Sequence, residues 1–167
     1  MYARAEGLRV ISTGEIAPIS PEVDDKLIVV TLNRNEQTLS ALENGKEVYF
    51  AVISSGGKKI DSGDWTTPVG EHPIWHKRIG MRMGGGDSES GFDLVGVGWV
   101  SLFSGNGEGI HSTYWHNDFG IPKSHGCINA RPADAKWLFR WTTPAVEYPL
   151  GDKQVGMPGG TRVKVVG

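Results

Sequence analysis

The segment 109–132, GIHSTYWHNDFGIPKSHGCINARP, carries three of the five histidines and the only cysteine in the chain. Attack of a thiol on a carbonyl requires a thiolate, a proton acceptor and hydrogen-bond donors for the developing oxyanion. Cys127 supplies the sulfur, and a histidine within hydrogen-bond reach, of which His111 is the candidate, would supply the acceptor. Gly126 beside the sulfur lets a carbonyl come close and leaves backbone N–H groups free to face it. Spacing alone does not place His111 against Cys127, so two other readings stay open. A lone cysteine is commonly a small buried apolar residue, although the flanks His125-Gly126 and Ile128-Asn129 are unlike a core strand. His111, His116, His125 and Cys127 could instead ligate zinc, but their offsets match no common finger pattern. His72 and His76 are separated by Pro73, which argues against a two-histidine site on a helix.

The rest of the chain must position these groups. Its 167 residues are 38% hydrophobic and 22% charged, with a formal net charge of -2, as expected of one globular domain. No concentrated basic patch points to nucleic acid; Lys58-Lys59 and Lys77-Arg78 read as solvated surface. A single cysteine excludes an intramolecular disulfide. No apolar run reaches the roughly 18 residues that a membrane span needs, and MYARAEGLRVISTGEIAPIS lacks the apolar centre of a signal peptide. The chain is thus expected to be either cytosolic or a domain cut from a longer exported protein.

Residues 1–25 read as a linker or N-terminal extension, with Leu8 to Ile11 as a candidate edge strand and Pro18 and Pro21 as punctuation. Strand signals then become dense. KLIVVTLN is apolar on both faces, as in a central strand, and QTLSAL follows. Asn44-Gly45 signals a tight hairpin turn into KEVYFAVIS, and Gly56-Gly57 the next turn. PVGEHPIW is expected to be extended. Residues 77–93, with Gly84-Gly85-Gly86 among mixed charges, are expected to form a mobile loop, and residues 77–94 a lid. Val95 to Phe103, Gly109 to Thr113 and Thr161 to Val166 read as further strands. One helix begins at Pro132, with Ala133, Trp137, Leu138 and Trp141 as its apolar stripe, and ends before Pro144. The expected fold is mainly β with one or two short helices.

His111 followed downstream by Ser124-His125-Gly126-Cys127-Ile128-Asn129 resembles the signature of the L,D-transpeptidase (YkuD-type) catalytic domain. In that family a histidine precedes a Ser/Thr-His-Gly-Cys-x-Asn or -Arg block. Thr67-Pro68-Val69-Gly70 is similar to the family's TPxG segment, and the stretch from Lys26 resembles its first hairpin. The likeness covers about residues 26–166. The gap from His111 to Ser124 is shorter than is usual in the family, which implies a trimmed loop.

The resemblance implies a β-sandwich with the cysteine in a cleft, and a catalytic domain over 26–167. It implies that Cys127 attacks a peptidoglycan stem tetrapeptide at the bond between the diamino acid and D-alanine. D-alanine leaves, and an amine of another stem peptide takes the acyl group, giving a 3→3 cross-link. His111 would be the base, its second ring nitrogen held by the carbonyl of Ser112. The backbone N–H groups of His125, Gly126 and Cys127 would face the oxyanion. Ser124 and Asn129 would hold the loop, and Tyr114 and Trp115 would wall the cleft on the substrate. No cofactor or metal is implied, carbapenem-type β-lactams are expected covalent inhibitors, and the location would be extracytoplasmic. Hydrolysis (L,D-carboxypeptidase activity) and a non-catalytic peptidoglycan- or zinc-binding module are the alternatives. A papain-like protease is disfavoured because the histidine precedes the cysteine.

Overall fold

A computed structural model describes residues 9–33, 36–57, 65–85, 91–148 and 150–167. Two five-stranded sheets form a sandwich. The first has the order β3-β2-β1-β10-β4 and the second β8-β7-β6-β5-β9. The strands of the first sheet are β1 (Lys26–Asn33), β2 (Glu36–Glu43), β3 (Lys46–Val52), β4 (Gly70–Pro73) and β10 (Arg162–Val166). Those of the second are β5 (His76–Gly85), β6 (Phe92–Leu102), β7 (Gly109–Ser112), β8 (Ile128–Ala130) and β9 (Asp152–Gln154). The mainly-β expectation holds.

β1 lies between β2 and β10 and buries Ile28 and Val30 completely. The hairpin β2–β3 turns at Asn44-Gly45, both at positive φ. On β3, Ala51 is buried while Val48 and Phe50 are exposed, because only one face of an edge strand meets the core. The helix α2 (Pro132–Trp141) opens on its proline. It buries Ala135, Leu138, Phe139 and Trp141. Ala133, expected in the apolar stripe, is exposed. Trp137 is half-buried and stacks on Tyr49 with ring centroids 4.0 Å apart. One core joins β1, β2 and β10 to β7, β8 and α2.

The end of α2 is closed by two lysines rather than by a glycine. Lys77 Nζ donates to the carbonyls of Phe139 and Thr142, each at 2.6 Å, and Lys26 Nζ donates to that of Trp141 at 2.9 Å. These donors satisfy carbonyls that a helix end leaves without partners. Burial pushes the Lys77 ammonium down to about 7. Lys77 thus faces the core, unlike the solvated basic pair read from sequence.

Two further expectations are corrected. Residues 77–93 are not a loop in their described part: β5 and β6 pair antiparallel from His76↔Leu102 to Gly85↔Phe92, with a bulge between Met81 and Met83. Met81, Met83 and Leu94 pack on Val97, Val100 and Leu102, and Arg82 makes a two-pronged ion pair with Asp93. The tip, 86–90, including Gly86, lies outside the described residues. Near the start of the chain, Val10 and Ile11 are not in a strand; a short helix α1 (Thr13–Ile16) follows. Glu15, Ala17 and Ile19 of this segment bond to Lys136 and Arg140 of α2.

Gly56 marks a tight crossing beneath the turn that carries Cys127. A Cβ there would lie 2.1 Å from Trp65 O, 2.7 Å from Thr67 N and 2.8 Å from Gly126 Cα. All three are backbone atoms and have little room to yield. Gly56→Ala is therefore expected to lower stability by about 3 kcal/mol, read as a reduced urea midpoint at unchanged slope.

Candidate active site

The parallel pairing of β7 with β8 brings the two halves of the motif together. Its register sets Ile110 opposite Ile128 and His111 opposite Asn129. Continued by one residue, the same register sets Cys127 opposite Gly109, and a backbone hydrogen bond from Gly109 to the Cys127 sulfur is present. His111, Cys127 and Asn129 thereby share the wall of one cavity of about 690 Å³. The β5–β6 hairpin forms the opposite wall through Met81, Met83, Phe92 and Leu94.

His111 is 2% exposed, and its Nδ1 lies 3.0 Å from Ser112 O. A carbonyl oxygen only accepts, so Nδ1 carries the proton and Nε2 presents its lone pair. Burial holds the ring far below the usual imidazole range, at about 4, against the opposing effect of the Ser112 carbonyl. Burial likewise pushes the Cys127 thiol up to about 11; the Gly109 hydrogen bond acts against this, and the charge of Glu108 adds to it. At neutral pH the two groups are therefore a thiol and a neutral imidazole rather than an ion pair.

That state has a measurable consequence. The thiol is raised from its ordinary value of 9.0, so thiolate is scarce at neutrality and accumulates only as pH climbs toward about 11. Alkylation of Cys127 by iodoacetamide should rise continuously through this alkaline range. A plateau of reactivity near neutral pH would show a preformed thiolate–imidazolium pair and contradict this.

The turn before β8 is braced from two sides. Ser124 Oγ donates to Cys127 O at 2.5 Å and accepts from the N–H of Gly126 at 3.2 Å. Thr67 Oγ accepts from Gly56 N–H and donates to Gly126 O, both at 2.8 Å. Gly126 sits at φ +115°, where an L side chain is strained, and a Cβ would meet Glu108 Cγ at 2.9 Å. A glycine before the cysteine is therefore a steric requirement here.

The remaining sequence candidates divide. His125 lines the cavity with Trp65 and Phe92 beside it, at ring-centroid distances of 4.6 Å and 4.9 Å. Trp115 lines it too, 5.8 Å from the His111 ring. Tyr114 is 60% exposed and donates to Val95 O, outside the cavity lining. The Ser112 hydroxyl accepts from Gly98 N–H, pointing at β6 rather than into the cavity.

His116 accepts from Asp118 N–H at Nδ1, while its Nε2 lies 2.9 Å from the side-chain amide of Asn129. Nε2 then carries the proton, and turning the amide gives the otherwise unpartnered Asn129 Oδ1 its donor. Among the described residues no three His, Cys, Asp or Glu side chains are grouped so as to hold a metal ion. Sequence reasoning missed Glu108, Trp65 and Phe92 in the cavity. Of these, only Glu108 was within reach of it, as an acidic residue three before His111.

Comparison with known proteins identifies the family. The L,D-transpeptidase catalytic domain (YkuD) matches residues 26–165. The chain belongs to this family. An L,D-transpeptidase from Enterococcus faecium, solved as a cysteine-to-serine mutant, is 26% identical with a TM-score of 0.62, covering 87% of this chain and 51% of its own. An L,D-transpeptidase from Mycobacterium smegmatis is 21% identical with a TM-score of 0.64, covering 85% and 59%. The L,D-transpeptidase LdtMt1, solved in complex with imipenem, is 24% identical with a TM-score of 0.62, covering 84% and 59%. The chain thus spans between half and three-fifths of the length of these structures. No curated protein matches the sequence. Among the described residues of this L,D-transpeptidase domain, no helix is long and apolar enough to cross a membrane.

Proposed function

We propose that this domain is a cysteine-dependent peptidoglycan L,D-transpeptidase with Cys127 as nucleophile and His111 as general base. The observation that carries the reading is the orientation of His111: its Nδ1 is committed to Ser112 O, in the same cavity wall as Cys127. Because both groups are neutral at rest, the thiol proton passes to His111 Nε2 as the sulfur attacks the stem-peptide carbonyl. The tetrahedral oxyanion is met by the N–H of Cys127, since the N–H of Gly126 is engaged by Ser124 Oγ. His111 then returns the proton to the departing amine of D-alanine, leaving a thioester on Cys127. An amine of a second stem peptide resolves the thioester to the cross-link; water in its place gives the carboxypeptidase reaction.

Asn129 and Ser124 act by holding the turn, and Trp115 and His125 act as cavity walls against the substrate. The β5–β6 hairpin forms a lid arm over the thioester. Residues 26–167 constitute the catalytic domain, preceded by an extension over residues 1–25. The substrate lies outside the cytoplasmic membrane, so this reading places the domain in the cell envelope or beyond it. Imipenem occupies one structural neighbour, and a carbapenem is expected to acylate Cys127 here.

The test is intact-protein mass spectrometry after mixing with a stem tetrapeptide, and separately with imipenem. The expected result is an acyl adduct localised to Cys127 with stoichiometric D-alanine released from the peptide. Absence of both adducts on the folded protein would leave only a binding module.

A further inference from the structure

The cavity that holds Cys127 also holds a carboxylate for which the cysteine chemistry has no use. Glu108 immediately precedes β7 and lines the cavity. Its side chain lies across the Gly126 face of the nucleophile's turn, with Cγ 2.9 Å and Oε1 3.5 Å from where a Gly126 Cβ would stand. It is not a loose surface side chain. Oε2 accepts a hydrogen bond from Ser104 Oγ. Ser104 Oγ in turn accepts from the N–H groups of Asn106 and Glu108, at 3.2 Å and 3.0 Å. This fixes one oxygen to the Ser104–Glu108 loop and leaves Oε1 on the Gly126 side.

Among the described residues, no basic side chain compensates the charge on Glu108. Among the described residues, the two lysine or arginine side chains lining the same cavity are taken: Arg82 by Asp93, and Lys123 by Asp118. Among the described residues, none forms an ion pair with Glu108. An unneutralised negative charge beside a nucleophilic sulfur opposes thiolate formation, and its effect on Cys127 is in that direction. Such a residue hinders the first half-reaction unless a ligand brings a positive charge to it. The donor peptide ends in a carboxylate, which Glu108 repels. The acyl acceptor is a primary amine, which in neutral water is an ammonium.

We propose that Glu108 is the specificity-determining residue for the acyl acceptor, binding the ammonium of a primary amine beside the thioester in preference to water or to an uncharged nucleophile. The proposal rests on the transpeptidase reading above. In the step it serves, the thioester C–S bond breaks and a C–N amide bond forms. Of the two protons the ammonium loses, one ends on the Cys127 sulfur and the other leaves through His111 to solvent. Glu108 exchanges no proton; it places the nitrogen by charge-assisted hydrogen bonding.

The test compares two nucleophiles on the acyl-enzyme formed from a stem tetrapeptide: a stem peptide bearing a free diamino-acid amine, and hydroxylamine, which is uncharged at neutral pH. For Glu108→Gln the KM of the cationic acceptor is expected to rise about tenfold, with hydroxylamine changing by less than about twofold. Glu108→Asp should recover part of the preference. In the wild-type protein, added salt should raise the KM of the cationic acceptor alone. This series decides the matter without relying on a variant that folds. An unchanged preference in Glu108→Gln, equal losses for both nucleophiles, or salt insensitivity in the wild type would overturn the assignment. Release of D-alanine and the acyl mass on Cys127 are recorded first on the wild-type protein. Their absence would remove the transpeptidase reading, and this proposal with it. Their presence without a change in preference would remove Glu108 alone.

Discussion

Cys127→Ala is expected to reduce D-alanine release from a stem tetrapeptide to the level of a no-enzyme control, while the domain stays folded. The thiol is the only strong nucleophile in the SHGC turn, and no neighbouring hydroxyl can substitute for it: Ser124 Oγ is occupied by Cys127 O and Gly126 N–H. Cys127 is half-buried, and it lines a cavity rather than filling the core. Its removal deletes one hydrogen bond to Gly109 and some wall contact, a cost of about 1 kcal/mol. Circular dichroism and the melting temperature should therefore stay close to wild type. Cys127→Ser should be equally inactive, because a hydroxyl at this site is a far weaker nucleophile with no base strong enough to ionise it. A Cys127→Ala protein that unfolds would instead assign the cysteine to the core.

His111→Ala is expected to lower the rate of Cys127 acylation by about 10²–10⁴-fold. With the thiol raised to about 11, almost no thiolate exists at neutral pH without a base at hand, and the loss should fall toward the upper end. The deficit should shrink as pH rises toward the thiol's own ionisation, since solvent hydroxide then does what Nε2 did. His116→Ala is expected to lose less than about tenfold. Its ring bonds to Asp118 N–H and the Asn129 amide rather than facing the cavity, so it acts on the reaction only through Asn129. Acylation followed by stopped-flow quenching at several pH values measures both. Equal losses at His111 and His116, reversed by zinc, would point to joint metal ligation; full activity in excess chelator argues against it.

Much of this protein is legible before folding. KLIVVTLN announces a central strand because apolar residues on both faces suit only a strand with neighbours on each side. Asn44-Gly45 announces its turn because few residue pairs tolerate two positive φ angles. Pro132 opens α2 because a first-turn position needs no N–H. The chemistry of His111 and Cys127 is legible for a similar reason: only a few residue types can carry it. The β5–β6 hairpin was legible in principle, since Ile79, Met81 and Met83 keep a two-residue period. The glycines and charges interleaved with them concealed it, and the long-range pairing with β6 outweighs their weak local propensity.

Other features exist only after folding. Whether Lys77 is surface or core depends on the end of α2 lying above β5, where buried carbonyls require a donor. Whether Tyr114 or Trp115 faces the cavity depends on which way the chain leaves β7. Glu108 enters the site because a strand register, not a motif, lays it against Gly126. The sequence by itself determined which atoms can react and the rhythm of most strands, since both are properties of residue type and local spacing. The tertiary structure decided which of those atoms meet, which ring nitrogen of His111 is free, and which charge shares their cavity. Those are properties of register and burial, set by contacts between residues far apart in the chain.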